Sequence, residues 1–427
     1  MNSIYFEPPD HWTRAPIKAL VDGPDNGAWG DEPGIGDIDV VCARVADFEW
    51  EHLTVNLSNP TIRSIKRNQF NRLALRNGDL LIEKSGGGEK TPVGRVVAFS
   101  GDVDAITSNF VARMRPKPGL SPDFLKYLFA AHYLSGFTYQ FIKQATGIQN
   151  LDDKPLMQVV AWVPDPENQD TIAHFLDRET GRIDGLIEKK TRFIALLKEK
   201  EKAEISRLVR RGLDRSAPTT DSGVDWRGLV PAHWIRGRIK DHFRQEKRQG
   251  YANLTVLSVY REFGVIEKSS RDDNINKTPE DLTKYQLVNP KDLVINKMKA
   301  WQGSMGIAPM TGITSPDYVV MRPIGEHDPW YMHHYLRAQP MPWVYRLISN
   351  GIRTDQWRME PEKFLGLPVF MPPIEEQRRI ADRIDVELER IRGLIALTER
   401  SIDLLREKRA SLITAAVTGR IDVRAAA

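Results

Sequence analysis

Cysteine is almost absent from this chain: Cys42 stands alone among 427 residues. One thiol builds no disulfide framework, no cysteine-based zinc site and no redox pair within the chain. Long apolar runs are lacking too, none approaching the roughly 18 residues of a membrane span. The first ten residues carry neither a basic start nor an apolar stretch. The expectation is a soluble, cytoplasmic protein that makes no use of a membrane. A strong excess of one charge is also lacking, since 61 basic and 57 acidic residues leave +4 and a pI near 8.9. That balance permits a polyanionic partner without requiring one.

Catalytic signatures are missing as a group. Gly86-Gly87-Gly88-Glu89-Lys90-Thr91 resembles a phosphate loop, but Glu89 stands where a glycine must precede Lys-Thr. It reads as a flexible glycine turn. Gln302-Gly303-Ser304-Met305-Gly306 departs from a nucleophile elbow at its first position. No Gly-x-Gly-x-x-Gly follows a strand, and no Asn-Pro-Pro-aromatic tetrapeptide is present to grip a base for amino methylation. The nine histidines are scattered, and neighbours such as His333 and His334 diverge on a helix. A non-catalytic chain with no metal and no cofactor of its own is expected.

What the chain does contain is a repeat. A hydrophobic fraction of 41% supports packed cores, and the length predicts two to four domains. Sliding the sequence by 377 minus 169, or 208, lays Gln169 on Gln377, Ile172 on Ile380, Asp177 on Asp385 and Gly185-Leu186-Ile187 on Gly393-Leu394-Ile395 without a gap. Looser pairs lie upstream. Pro9-Asp10-His11-Trp12 matches Pro231-Ala232-His233-Trp234, Gly78-Asp79-Leu80-Leu81-Ile82 matches Lys291-Asp292-Leu293-Val294-Ile295, and Gly147-Ile148 matches Gly351-Ile352. The pattern predicts two dissimilar heads on two struts of equal length.

Each strut reads as a long helix. Prolines precede both, Glu375 and Glu376 suit a first turn, and Gly212 and Gly419 mark the stops. Leu176, Ile183, Ile187, Ile194 and Leu197 on the first, with Ile384, Leu388, Ile391, Ile395, Ile402 and Leu405 on the second, recur in steps of three, four and seven, polar Thr180, Lys190 and Thr398 filling the sevens. That spacing fits a coiled-coil seam. Two ordinary amphipathic core helices are the alternative, although roughly 60 Å of helix exceeds what one small domain covers. The segments are 1–165 (first head), 166–213 (first strut), 214–225 (polar linker), 226–372 (second head) and 373–420 (second strut). Within the heads, short apolar runs at 80–82, 96–99, 293–295 and 318–321 predict strands, and 123–134 and 330–337 predict one helix each. The fold class is α/β (α+β) in both heads, with the strand order open.

Two loops follow equivalent strands. The first holds Lys84, Ser85 and Lys90, and the second holds Asn296, Lys297, Lys299, Trp301 and Gln302. Asn and Gln read base edges, and Lys neutralises phosphates, so both loops are candidate nucleic-acid contacts. The competing reading is a solvated loop whose Trp301 packs on its own domain.

These features together resemble the specificity subunits of Type I restriction-modification systems. The residues carrying the resemblance are Pro372-Pro-Ile-Glu-Glu-Gln-Arg-Arg-Ile-Ala381, the run from Leu405 to Asp422, Asp225-Trp-Arg-Gly-Leu-Val-Pro-Ala-His-Trp234 and Asn296-Lys-Met-Lys-Ala-Trp-Gln-Gly303. The likeness implies two target-recognition domains separated by two long antiparallel coiled-coil helices, related by an internal pseudo-two-fold repeat. It implies a bipartite, asymmetric double-stranded DNA target and adds Arg353 to the expected DNA-binding set. It also implies two modification subunits that bind S-adenosylmethionine, and restriction (translocase) subunits that use ATP and Mg.

Overall fold

In the computed structural model, residues 9–88, 91–145, 147–271, 278–351 and 357–426 are described. They divide into two compact units, Met1–Thr191 with Glu399–Ala427, and Arg192–Thr398. Two helices dominate, Pro166–Arg211 and Ile374–Val417, of 46 and 44 residues. They start and stop within a few residues of the positions that the prolines and glycines predict. Each is divided partway along its length, after Thr191 in the first and after Thr398 in the second, so the units cut across the strut-and-head segments. A helix of this length buries its opposite halves in different cores.

The head of the first unit is built on a mixed sheet. Its strands run in the order Val21–Asn26, Val111–Pro116, Leu80–Glu83 and Val96–Ala98, extended by Thr54–Val55 and Phe48–Glu49. Leu81 lies opposite both Arg113 and Val97. A second sheet holds Ala105–Thr107, Ile38–Ala43 and Ile62–Ile65. The helix Pro122–Leu134 covers the larger sheet, and Thr13–Pro16 pairs with Val160–Val163 immediately before the long helix.

The head of the second unit repeats this order in its central ladder: Phe243–Gln245, Tyr318–Pro323, Leu293–Asn296 and Met305–Ile307. Val294 lies opposite Val320 and Gly306. Ile235–Arg238 pairs with Pro368–Met371 before the second long helix, as its counterpart does in the first unit. Two helices that the sequence pattern did not suggest, Met341–Leu347 and Pro361–Leu365, follow Pro329–Arg337. Both are short and start beside proline, where a 3.6-residue period has too few turns to register. The linker also holds structure, because its Thr219–Asp221 forms a two-strand ladder with Leu229–Pro231.

The repeat is explained by a set of polar bonds that recur in each unit. Gln169 is buried, accepts from the Ser121 N–H at 2.9 Å and donates to the Pro164 carbonyl at 2.9 Å. Gln377 does the same to Asp328 N–H and the Pro372 carbonyl, each at 2.8 Å. Ser121 and Asp328 are themselves the N-caps of the head helices. One amide side chain thus ties the start of a long helix to the start of a head helix. Asp79 and Asp292 form a second recurring device. Each accepts a backbone N–H three residues upstream, at 2.8 Å, and each pairs with an arginine, Arg115 or Arg248.

The far ends of the helices are held by tryptophan. In the first unit Trp12 packs on Gly419, which ends the second long helix at φ +73°. In the second unit Trp234 packs on Gly212, which ends the first at φ +74°. A side chain at either glycine would be strained and would run into Pro9 at Gly419 or the Glu376 carboxylate at Gly212, with the tryptophan ring close beyond. Within the first unit Ile172, Ala173 and Leu176 share a core with Ile413, Ala416 and Val417, and Asp184 pairs with Arg409 at 2.9 Å. Within the second, Leu208 and Val209 share a core with Ile380, Ile384 and Leu388. In each unit the two helix segments therefore run antiparallel. Polar seam positions are satisfied locally, Thr180 donating to the Leu176 carbonyl at 2.6 Å and Thr398 to the Leu394 carbonyl at 2.7 Å. No helix among the described residues is long and apolar enough to cross a membrane.

Replacing Gln377 by Leu should cost about 1–3 kcal/mol, because the Asp328 N–H and the Pro372 carbonyl lose a partner together. Urea unfolding of Gln377→Leu beside the exposed control Arg378→Ala, which should stay within about 0.5 kcal/mol of the parent, checks this. Acid should also destabilise the protein. Burial pushes the imidazoles of His132 and His327 down to about 4. The folded state therefore refuses protons that the unfolded state takes, and stability complete above about pH 6.5 is lost as pH falls toward 4. Between pH 7 and 5 the loss should be on the order of 2 kcal/mol per histidine. A His132→Asn, His327→Asn variant with an undiminished pH slope would contradict that assignment.

Candidate nucleic-acid interface

In the second unit the strand Leu293–Asn296 delivers its chain into a tight turn. Asn296 Oδ1 accepts from Met298 N–H at 3.1 Å, and Lys299 N–H returns to the Asn296 carbonyl at 3.0 Å. The short 3-10 turn Ala300–Gln302 follows and ends on Gly303 at φ +87°. Met359 N–H donates to the Lys297 carbonyl at 3.1 Å, fastening the turn to the strand Arg358–Met359. The backbone of this turn is thereby held, while its long side chains point outward.

Trp301 belongs to the support. Its indole N–H donates to the Met298 carbonyl at 3.1 Å, and its ring meets Trp357 edge-on at 5.7 Å. The Arg346 guanidinium lies 4.8 Å from the Trp357 ring, a geometry in which a cation is held by the ring face. The packing of Trp301 on its own domain, one of the two sequence readings, is thus present. It leaves Lys299, Arg346 and Arg358 exposed and Lys297 half-buried around the aromatic pair. Lys297 and Lys299 enter no ion pair among the described residues. Partial burial, together with the Arg358 guanidinium, pushes the Lys297 ammonium below its usual range. An arriving anion would relieve that repulsion. Trp343, 52% exposed, and Leu347, 61% exposed, add an apolar rim.

Arg346, Trp357 and Arg358 were not legible in the sequence as site residues. They come from segments some 50 residues downstream of the turn, and only the folded chain brings them to it. Arg353 lies outside the described residues.

The first unit arranges its equivalent loop differently. Lys84 donates to Asp153 at 2.7 Å and to Asn26 Oδ1 at 2.9 Å, so its charge is neutralised within the head. Ser85 donates to Asn150 Oδ1 at 2.6 Å, within a small sheet of Ser85–Gly86, Ile148–Leu151 and Ile142–Ala145. Lys90 lies outside the described residues. Exposed cations of this head, Lys66, Arg67, Arg72 and Arg76, gather instead on and beside the short helix Arg67–Leu73. Nearby, Arg63 sits 4.2 Å over the ring of the exposed Trp29.

Along the long helices, Leu176, Ile183, Leu197, Ile384, Leu388, Ile391 and Ile402 are buried, and Ile187, Ile194, Ile395 and Leu405 are half-buried. Among the described residues no group of three or more His, Cys, Asp or Glu is placed to hold a metal ion. The site offers cations, amides and aromatic faces, the chemistry of binding a polyanion.

No protein-family model matches the chain, and no curated protein matches it. Solved structures do. A chain from a study of complex assembly and conformational transition of the type I R-M system superposes with a TM-score of 0.64 at 15% identity, covering 97% of this chain and 100% of that one. The HsdS subunit from Thermoanaerobacter tengcongensis superposes with a TM-score of 0.54 at 14% identity, covering 97% of this chain and 99% of that one. The class defined by the fold is therefore a two-headed chain built on two long helices. In particular, this chain shares the fold of the Type I restriction-modification specificity subunit over nearly its whole length.

Proposed function

We propose that the chain is the non-catalytic DNA sequence-recognition subunit of a Type I restriction-modification complex. The observation that carries this reading is the second-unit turn, where Lys297, Lys299, Arg346 and Arg358 lie around a tryptophan pair and Lys297 and Lys299 enter no ion pair among the described residues. Cations of this kind position a protein on phosphates, and Asn296 and Gln302 are amides suited to base edges. The recurrence of one ladder order in both units supports two recognition domains, 1–165 and 226–372, that arose by duplication. Each reads one half of a bipartite, asymmetric target in double-stranded DNA, and the two long helices act as a ruler for the unread gap. Requiring both half-sites at one spacing multiplies the specificity of either.

The same reading gives the chain a scaffold role for two modification subunits that bind S-adenosylmethionine and for restriction subunits that use ATP and Mg. It places the complex in the cytoplasm. The chain itself binds and orients, and catalysis belongs to its partners. In the first head Lys84 and Ser85 brace the loop, and contact with phosphates falls to the exposed cations near Arg67–Leu73.

Replacing Lys297 and Lys299 by Ala should weaken duplex binding and lower the slope of log affinity against log salt by about 0.9 for each phosphate no longer neutralised. A folded variant with parental affinity and slope would remove this turn from the interface. Exchanging residues 226–370 for the corresponding head of another specificity subunit should alter one half-site and leave the other half and the gap as they were. Mapping of methylated sites in the reconstituted complex reads this directly, and a change in both halves would overturn the modular model.

A further inference from the structure

The last turns of the first long helix carry a cationic cleft that the base-reading turn does not use. It encloses about 400 Å³ within the second unit and is lined by Lys202, Ser206, Arg207, Arg210, Arg211 and Gln339. Its walls are fixed. Ser206 donates to the Gln339 carbonyl at 2.7 Å, and Arg210 donates to the Arg227 carbonyl at 2.9 Å. Arg227 is 1% exposed, donates to the Arg210 carbonyl at 3.2 Å and lies among the rings of Trp234, Tyr335 and Phe370. Of the lining cations, only Arg207 has a carboxylate partner among the described residues, Glu204 at 2.6 Å. Lys202, Arg210 and Arg211 have no carboxylate partner among the described residues, and the Arg210 guanidinium is pushed below its usual range by burial and by Arg227 and Arg211.

Shifted by the 208 residues that align the helix bodies, Lys202 and Arg207 fall on Ala410 and Ala415, so a helix of this repeat forms without cations at those two positions. Their position suggests what they serve. Gln339 on the rim lies just before the helix Met341–Leu347, and Arg346 near the far end of that helix belongs to the base-reading turn. Seven helical residues span about 10 Å, or about three phosphate steps along one DNA strand at roughly 3.4 Å of helix axis each.

We propose that this cleft holds the phosphate backbone of duplex DNA next to the half-site read by the second head, as a sequence-independent anchor. The inference rests on the DNA-recognition reading above. The anchor takes phosphates because guanidinium forks match phosphate oxygens bidentately, and contacts to phosphate carry no sequence information.

The test uses the full chain and a labelled duplex of about 30 base pairs, titrated by fluorescence anisotropy between 50 and 200 mM NaCl, conditions over which phosphate contacts are strongly salt-dependent. Lys202→Ala with Arg211→Ala changes two exposed side chains and should leave the helix content unchanged by circular dichroism. The salt slope should fall by about 1.8 and affinity about tenfold or more, equally for unrelated duplexes. If that variant keeps the parental slope and affinity while Lys297→Ala with Lys299→Ala loses both, the anchor is refuted and DNA recognition stands. If the parent shows no salt-dependent duplex binding, both fail. If polyglutamate binds the parent but not the cleft variant, and the DNA slope is unchanged, the cleft takes an acidic polypeptide and the anchor is refuted.

Discussion

Everything in each unit depends on where a long helix leaves its head, and one buried amide decides that. Gln169 and Gln377 each bond the N-cap residue of a head helix and the carbonyl of the proline preceding the long helix. A glutamine can do this because it carries an acceptor and a donor on one planar group. A carboxylate in its place would leave the proline carbonyl without a donor, and an apolar side chain would leave both backbone groups without a partner. The latch therefore constrains direction as well as stability, and it does so at equivalent positions in both copies. The tryptophans on Gly419 and Gly212 complete the arrangement, so that each head grips the start of its own helix and the end of the other.

Charge is distributed unevenly between two heads of one topology. In the first, the lysine after the central strand is consumed by Asp153 and Asn26; in the second, the lysines of the corresponding turn enter no ion pair among the described residues. An internal pair rigidifies a loop but gives up the attraction for phosphate, since a cation already in contact with a carboxylate gains little from a second anion. The first head's exposed cations lie on a different element, so two heads with the same central strand order present different charged surfaces. The cleft beside Arg210 is a further asymmetry, since the second long helix carries Ala410 and Ala415 where the first carries Lys202 and Arg207.

The repeat, both long helices and their ends, and four of the central strands were legible from the sequence alone, for a common physical reason. Helical periodicity over more than 40 residues, proline before a start, glycine after a stop and apolar runs of strand length are all consequences of local backbone geometry. The equivalence of Gln169 with Gln377 and of Asp79 with Asp292 was visible as aligned letters, although their bonds were not. The absence of a nucleotide or nucleophile motif was likewise readable from spacing.

Tertiary structure alone decided which cations are available. Nothing local in the sequence distinguishes Lys84 from Lys297, since both follow a strand beside polar residues; what separates them is Asp153, some 70 residues downstream, folded back against the first. The same holds for Arg346, Trp357 and Arg358, which reach the Asn296–Gln302 turn only through the packing of intervening helices. It holds also for the division of each long helix between two cores. Local propensity determines what an element is, but the ion pairs and ring contacts that make a binding surface join residues far apart in the chain, and only the folded chain brings those residues together.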